Sequence, residues 1–325
     1  MPMKRLPGLS WRQRYNEHMG CIKGCLEYLG IDVTFPWLYG GTTHAFVLNM
    51  NDTAFVDCAL AWDTAPLYAL YLNLGFKRDG IVHAPALGDD ESPDLFLHKQ
   101  REAWDFVRAS IDRGIPCYGW ELDVVPAYYV ICGYDDVGYY YSGWQESGPC
   151  PWDRMGTFDV RIVAVHSIEL CPAVTDDRVV RDALRSVLER IERPDGWAAT
   201  PRYVTGLAGY EMWAQALEAG RVTIDGHGYI NHFWLECREM AVQFLREARR
   251  RLEGRCDAAF DDASGHYAVV CDRLRALLET HPERAEKELD WTTTFQSTAG
   301  AALVREAAQA EKQGVACLRR IAAAL

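Results

Sequence analysis

The chain has 325 residues, 49% of them apolar, and a formal net charge of −12 at neutral pH. That length allows one large domain or two medium ones, with enough apolar side chains to build real cores. The acidic balance argues against nucleic acid, which is bound by clustered Lys and Arg, and against anionic membrane surfaces.

The opening "MPMKRLPGLSWRQRYNEHMG" holds no apolar run long enough for a signal peptide, and no later stretch approaches a membrane span. The eleven Cys are scattered singly, with no CxxC pair. This pattern fits a cytoplasmic, reducing location with mostly buried thiols, and excludes a structural zinc ribbon on spacing. Neither a metal nor a cofactor is expected.

In chain order, "GCIKGCLEYLG" predicts a short helix beginning at Cys21, supported by Ile22, Cys25, Leu26 and Leu29. "WLYGGTTHAF" reads as a Gly-rich turn entering a strand, and "HAFVLNMNDTAFVDC" as two strands joined at Asn51-Asp52. "QREAWDFVRASIDRGIP" reads as a helix, with Ala103, Val107 and Ile111 spaced by four and Gly114 as its stop. A strand follows in "CYGWEL". Then comes a hairpin, from Tyr128–Cys132 through the turn 133–138 to Tyr139–Ser142, whose Gly and paired Asp are ordinary turn chemistry. "FDVRIVAVHSIEL" adds one long strand or a strand pair. Helices followed by mainly antiparallel strands predict an α+β domain over residues 1–172.

After "CPAVTDD" the apolar period changes. Val180, Leu184, Val187, Leu188 and Ile191 form a stripe that stops at Pro194-Asp195-Gly196. A second helix is expected from about Tyr203, a long third one over "YINHFWLECREMAVQFLREARRRLEG", and a fourth from Cys256 to Leu277 stepping by four and three. The Ala-rich tail completes an all-helical domain over residues 173–325, with no strand expected between 205 and 320.

Cys21 is the candidate nucleophile. A thiol at a helix start sits beside unpaired backbone N–H groups and the positive dipole end, both of which favour the reactive thiolate. It reads equally as a small buried residue, and Cys25, one turn on, reads as structural.

Cys at a helix start, "LG" nine residues on and then "WLYGGTTHAF" resemble the N-terminal domain of butirosin biosynthesis protein H and its relatives. Downstream, "RGIPCYGWEL" and "YYVICGYDD" are similar to the papain-like fold more widely, including bacteriocin-processing cysteine peptidases. The resemblance covers residues 15 to 170 and implies a papain-like domain. In the butirosin family it implies cysteine-dependent acyl transfer from a carrier-protein thioester to an amine. Carried over residue by residue, the nucleophile position falls on Cys21. The base position falls on Ala127, which cannot take a proton, and the orienting carboxylate position on Ser142-Gly143. The oxyanion Gln position falls on Tyr15, with Gln13 two places earlier. The standard triad is absent.

Substitutes are available. His44, in "GGTTHAF", is the candidate replacement base, although it also reads as a cap of its own turn. Glu121 lies at the end of a strand between Trp120 and Leu122, where desolvation could raise its pKa for acid–base work; it also reads as an exposed strand-end carboxylate. Asp135 and Asp136 could orient a base but are also simple turn formers. Trp120, Tyr128, Tyr134 and Asp135 supply the aromatic faces and polar groups that line small-molecule pockets. His232 and Glu236 stand one turn apart, a spacing that could hold a metal but that also continues a polar face with Glu239 and Gln243.

Beside a third reading, an interaction scaffold based on the helical half, two functions therefore stand side by side. One is a cysteine acyltransferase or amide hydrolase acting on a small molecule or peptide, with Cys21 as nucleophile, His44 or Glu121 as base and a carrier protein as the partner that the resemblance implies. The other is a catalytically inactive papain-like protein that binds a small molecule or peptide. Homo-oligomerisation is left open.

Overall fold

The structure is a computed structural model describing residues 3–59, 64–85, 92–144, 148–158, 161–193, 201–282 and 289–325. A short strand β1 (Lys4–Arg5) leads to α1 (Glu17–Tyr28), α2 (Phe35–Gly41), β2 (Asn49–Met50), α3 (Ala65–Ala69), β3 (Phe76–His83) and α4 (Pro93–Asp112). Strands β4 (Cys117–Trp120), β5 (Tyr128–Tyr134), β6 (Gly138–Ser142), β7 (Cys150–Pro151) and β8 (Val163–Leu170) follow. The remainder comprises α5 (Asp176–Glu192), β9 (Val204–Thr205), α6 (Leu207–Glu218), β10 (Val222–Thr223), α7 (Ile224–Arg251), α8 (Asp257–Glu279), β11 (Thr294–Phe295) and α9 (Thr298–Ala324). The fold is α+β with a helical C-terminal region.

Two compact units divide the chain. The first combines Met1–Thr34 with Gly75–Ala173, and the second combines Phe35–Leu74 with Val174–Leu325. A contiguous division at residue 172 therefore omits one exchange: residues 35–74 group with the C-terminal helices. The cause is packing within the second unit. α2 lies against α7, so closely that a Cβ on Gly40 would stand 1.9 Å from the Phe244 ring. That close approach accounts for a glycine that reads in sequence as part of a turn.

The first unit is built on an antiparallel sheet of order β3-β8-β4-β5-β6-β7, with β1 paired to β5 beyond the end of β4. The hairpin forms as its turn residues predict. Asp135 accepts from the backbone N–H groups of Val137 and Gly138 at 2.8 and 3.1 Å, which closes the turn. Between the pairs Ile131–Tyr141 and Gly133–Tyr140 the register shifts, leaving Cys132 as a bulge. α1 rests against β5, and α4 against β8 and β3.

In the second unit α8 packs on both α7 and α9, and α6 on α9. The apolar stripe of the fourth expected helix is buried along α8 at Phe260, Ala263, Tyr267, Val270, Leu274 and Leu277. At the centre lies a charged pair. Arg238 meets Glu311 through contacts of 2.8 and 2.9 Å, Tyr210 donates to the same carboxylate, and Arg238 also donates to the Ala45 and Val47 carbonyls.

Two expectations are corrected. The region from 205 to 320 is not free of strand, because β10 pairs antiparallel with β11, Val222 opposite Phe295. "HAFVLNMNDTAFVDC" does not form a strand pair: only Asn49–Met50 is extended, and residues 44–46 and 56–59 form single 3-10 turns. The cause is local. Asn51 accepts from Thr53 N–H and donates to Asp57, bonds that hold the chain in a turn rather than a ladder. The stop read at 194–196 lies outside the described residues.

Candidate functional site

In the first unit α1 sets the geometry. Asn16 caps it by accepting from Met19 N–H at 3.2 Å, and Glu17 and His18 are its first residues. Gly20 N–H already donates to the Asn16 carbonyl at 3.2 Å, so the free donors of the helix start lie before Cys21. Cys21 is the fifth helical residue, not the first, which corrects the sequence expectation.

It has no solvent exposure. Burial, with Cys25 and Glu17 nearby, pushes its thiol well above the ordinary range, the opposite of an activated cysteine. α1 packs on β4, β5 and β8, and the N-terminal segment lies along the same helix. A Cβ on Gly20 would stand 2.1 Å from the Arg12 carbonyl oxygen, and one on Gly24 2.1 Å from that of Ser10. The segment thus runs directly over the glycines of "GCIKGC". Cys25 is equally buried, and its thiol is also pushed well up by burial.

Beneath α1 lies a group of rings of which the sequence singles out Tyr128 alone. His18 Nε2 is 2.8 Å from the Tyr118 hydroxyl, and the His18 ring stacks on Tyr128 with centroids 4.8 Å apart. Tyr118 in turn contacts the His166 ring at 5.0 Å, and Arg78 Nη1 is 3.3 Å from both His166 nitrogens. Burial, then the Arg78 charge, holds His166 well below the ordinary imidazole range. The register Tyr118–His166 brings β4 and β8 side by side, a pairing no local signal announces. His18, one turn before Cys21 in "EHMGC", was the visible hint.

Trp120 packs on Tyr128 at 5.0 Å, and its indole N–H is buried with no hydrogen-bond partner among the described residues. Glu121 is fully buried rather than exposed, with φ of +57°, a left-handed conformation rare for a side-chain-bearing residue. Its N–H donates to the Ala127 carbonyl at 2.8 Å, and its carbonyl accepts from Gly156 N–H. Ala127, at the base position of the resemblance, is buried. Ser142, at the carboxylate position, accepts from Trp11 N–H at 3.2 Å.

Tyr134 donates to Asp112 at 2.6 Å and packs edge-on against Trp104. Asp135 takes the Tyr140 hydroxyl at 2.7 Å, and that bond, with the turn N–H groups, holds its carboxyl below the usual range. Asp135 is therefore occupied as a turn former.

His44 belongs to the second unit, whereas Cys21, Trp120, Glu121 and Tyr128 belong to the first. It opens a 3-10 turn after Thr43 at φ of +67°, and its Nδ1 is 2.8 Å from Thr42 Oγ1. Burial, then the Arg190 charge, pulls its pKa down to about 3, so the ring stays neutral near neutral pH. Glu236 accepts from Tyr39 at 2.6 Å. Among the described residues no three His, Cys, Asp or Glu side chains are grouped to hold a metal ion. No helix among them is long and apolar enough to cross a membrane.

The sequence matches no protein-family model, and no curated protein matches it.

Proposed function

We propose that the chain is a catalytically inactive papain-like protein whose sheet-bearing unit binds a small molecule or peptide. The observation that carries this reading is the state of Cys21: fully buried, beyond the helix start, with its thiol pushed upward by desolvation. Ala127 at the base position supports it further. Acyl transfer from a carrier-protein thioester requires a thiolate that the thioester can reach.

Iodoacetamide labelling of the folded protein, with each Cys followed by mass spectrometry, tests the reading. Cys132, Cys171 and Cys256 are partly exposed and are expected to label, while Cys21 and Cys25 stay silent. Labelling of Cys21 ahead of those three would restore the cysteine-enzyme reading.

A further inference from the structure

The bulge at Cys132 marks a groove. A bulge bends its strand and disrupts the ladder locally, and such features recur beside binding sites. Above it, β1 and the turn Gly8–Ser10 on one side and Tyr140–Ser142 of β6 on the other enclose about 480 Å³. That volume suits a small organic ligand, for which pockets run to roughly 300–1,000 Å³. A Cβ on Gly8 would meet nothing within 4 Å, so the turn borders clear space.

Among the described residues Arg5 is the one charged residue of the lining, and the Asp135 carboxylate takes the Tyr140 hydroxyl beside it. The Arg5 guanidinium lies 4.6 Å above the Tyr140 ring centroid. It makes neither an ion pair nor a side-chain hydrogen bond among the described residues, whereas the neighbouring Lys4 is paired with Asp112 at 2.6 Å. A guanidinium over a ring with no carboxylate paired to it keeps its N–H fork to receive an oxyanion pair. The other lining residues are uncharged, among them Leu9, Ser10, Cys132, Tyr140, Tyr141 and Ser142.

We infer that this groove takes a small monocarboxylate with a flat apolar body, its carboxylate on Arg5 and its body along Tyr140 over Cys132. A single cation in a chain of net charge −12 favours one negative charge over the multiple charges of a phosphate or nucleotide. The inference rests on the binding reading proposed above and names its ligand class.

Benzoate and its uncharged isostere benzamide are the probes, titrated calorimetrically into the full chain while the iodoacetamide rate of Cys132 is followed by mass spectrometry. Saturable benzoate binding is expected, with benzamide weaker by about tenfold or more for want of the charge-assisted pair. Saturating benzoate should slow Cys132 alkylation, Arg5→Gln should reduce benzoate to the benzamide level, and Arg5→Lys should retain part of the difference. The inference is overturned by no saturable benzoate binding up to about 10 mM, by equal binding of the two probes, or by benzoate binding that leaves the Cys132 rate unchanged. Failure of these tests with Cys21 still silent removes the groove assignment alone. Rapid Cys21 labelling removes the binding reading beneath it.

Discussion

Ser10 and Gly24 touch backbone to backbone: a Cβ added at Gly24 would stand 2.1 Å from the Ser10 carbonyl oxygen. This contact, with the Arg12 N–H donating to the Gly20 carbonyl at 3.3 Å, seats the N-terminal segment on α1, the helix that carries Cys21. Gly24→Ala should therefore displace the segment at a cost of about 1–3 kcal/mol, the usual range for overpacking. Urea denaturation measures the loss. The same variant should expose Cys21 to iodoacetamide, while a silent Cys21 in a stable Gly24→Ala protein would mean that another element covers it.

Tyr118→Phe deletes the hydroxyl facing His18 Nε2 at 2.8 Å while keeping the ring that packs on Tyr128 and His166. A loss of about 1 kcal/mol is expected for one buried hydrogen bond. A neutral result in chemical denaturation would argue that the hydroxyl contributes nothing to the seating of α1.

Acid should destabilise the protein earlier than its carboxylates alone would predict. His44 titrates at about 3 in the folded chain, and His166 and His227 are likewise held well below their ordinary value by burial. In the unfolded chain such rings titrate near about 6.5. The unfolded state thus binds more protons below that value, so stability is complete above it and falls as pH drops toward the folded values. Thermal melts between pH 7 and 5, above the carboxylate range, should show a steady decline in Tm. His44→Asn should make that slope shallower; a flat profile in the parent chain would contradict the burial of these rings.

Arg238→Met should cost about 3–5 kcal/mol, because it strands the Glu311 carboxylate in the helical core. The double variant Arg238→Met with Glu311→Leu should recover most of that loss. Recovery will fall short of complete, since Arg238 also satisfies the Ala45 and Val47 carbonyls. Denaturant midpoints of the three proteins decide the matter, and equal midpoints for single and double variants would sink the assignment.

Sequence alone determined what is written in contiguous residues. The helices of the C-terminal half follow from apolar steps of three and four, visible from Val180 onward and buried along α8. The hairpin follows from Asp135 and Gly138, whose turn bonds span three residues. Tertiary structure decided whatever depends on which distant segment arrives. Residues 35–74 joined the helical unit because Gly40 admits Phe244 and Arg238 reaches back 191 positions to Val47. Cys21 was read as a helix start because a local pattern shows a helix but not the residue that caps it, here Asn16, or the chain that covers it. Gly20 and Gly24, on either side of Cys21, are the footprint of Arg12 and Ser10. Periodicity is a property of one segment, whereas burial is a property of two, and the fate of a thiol depends on burial.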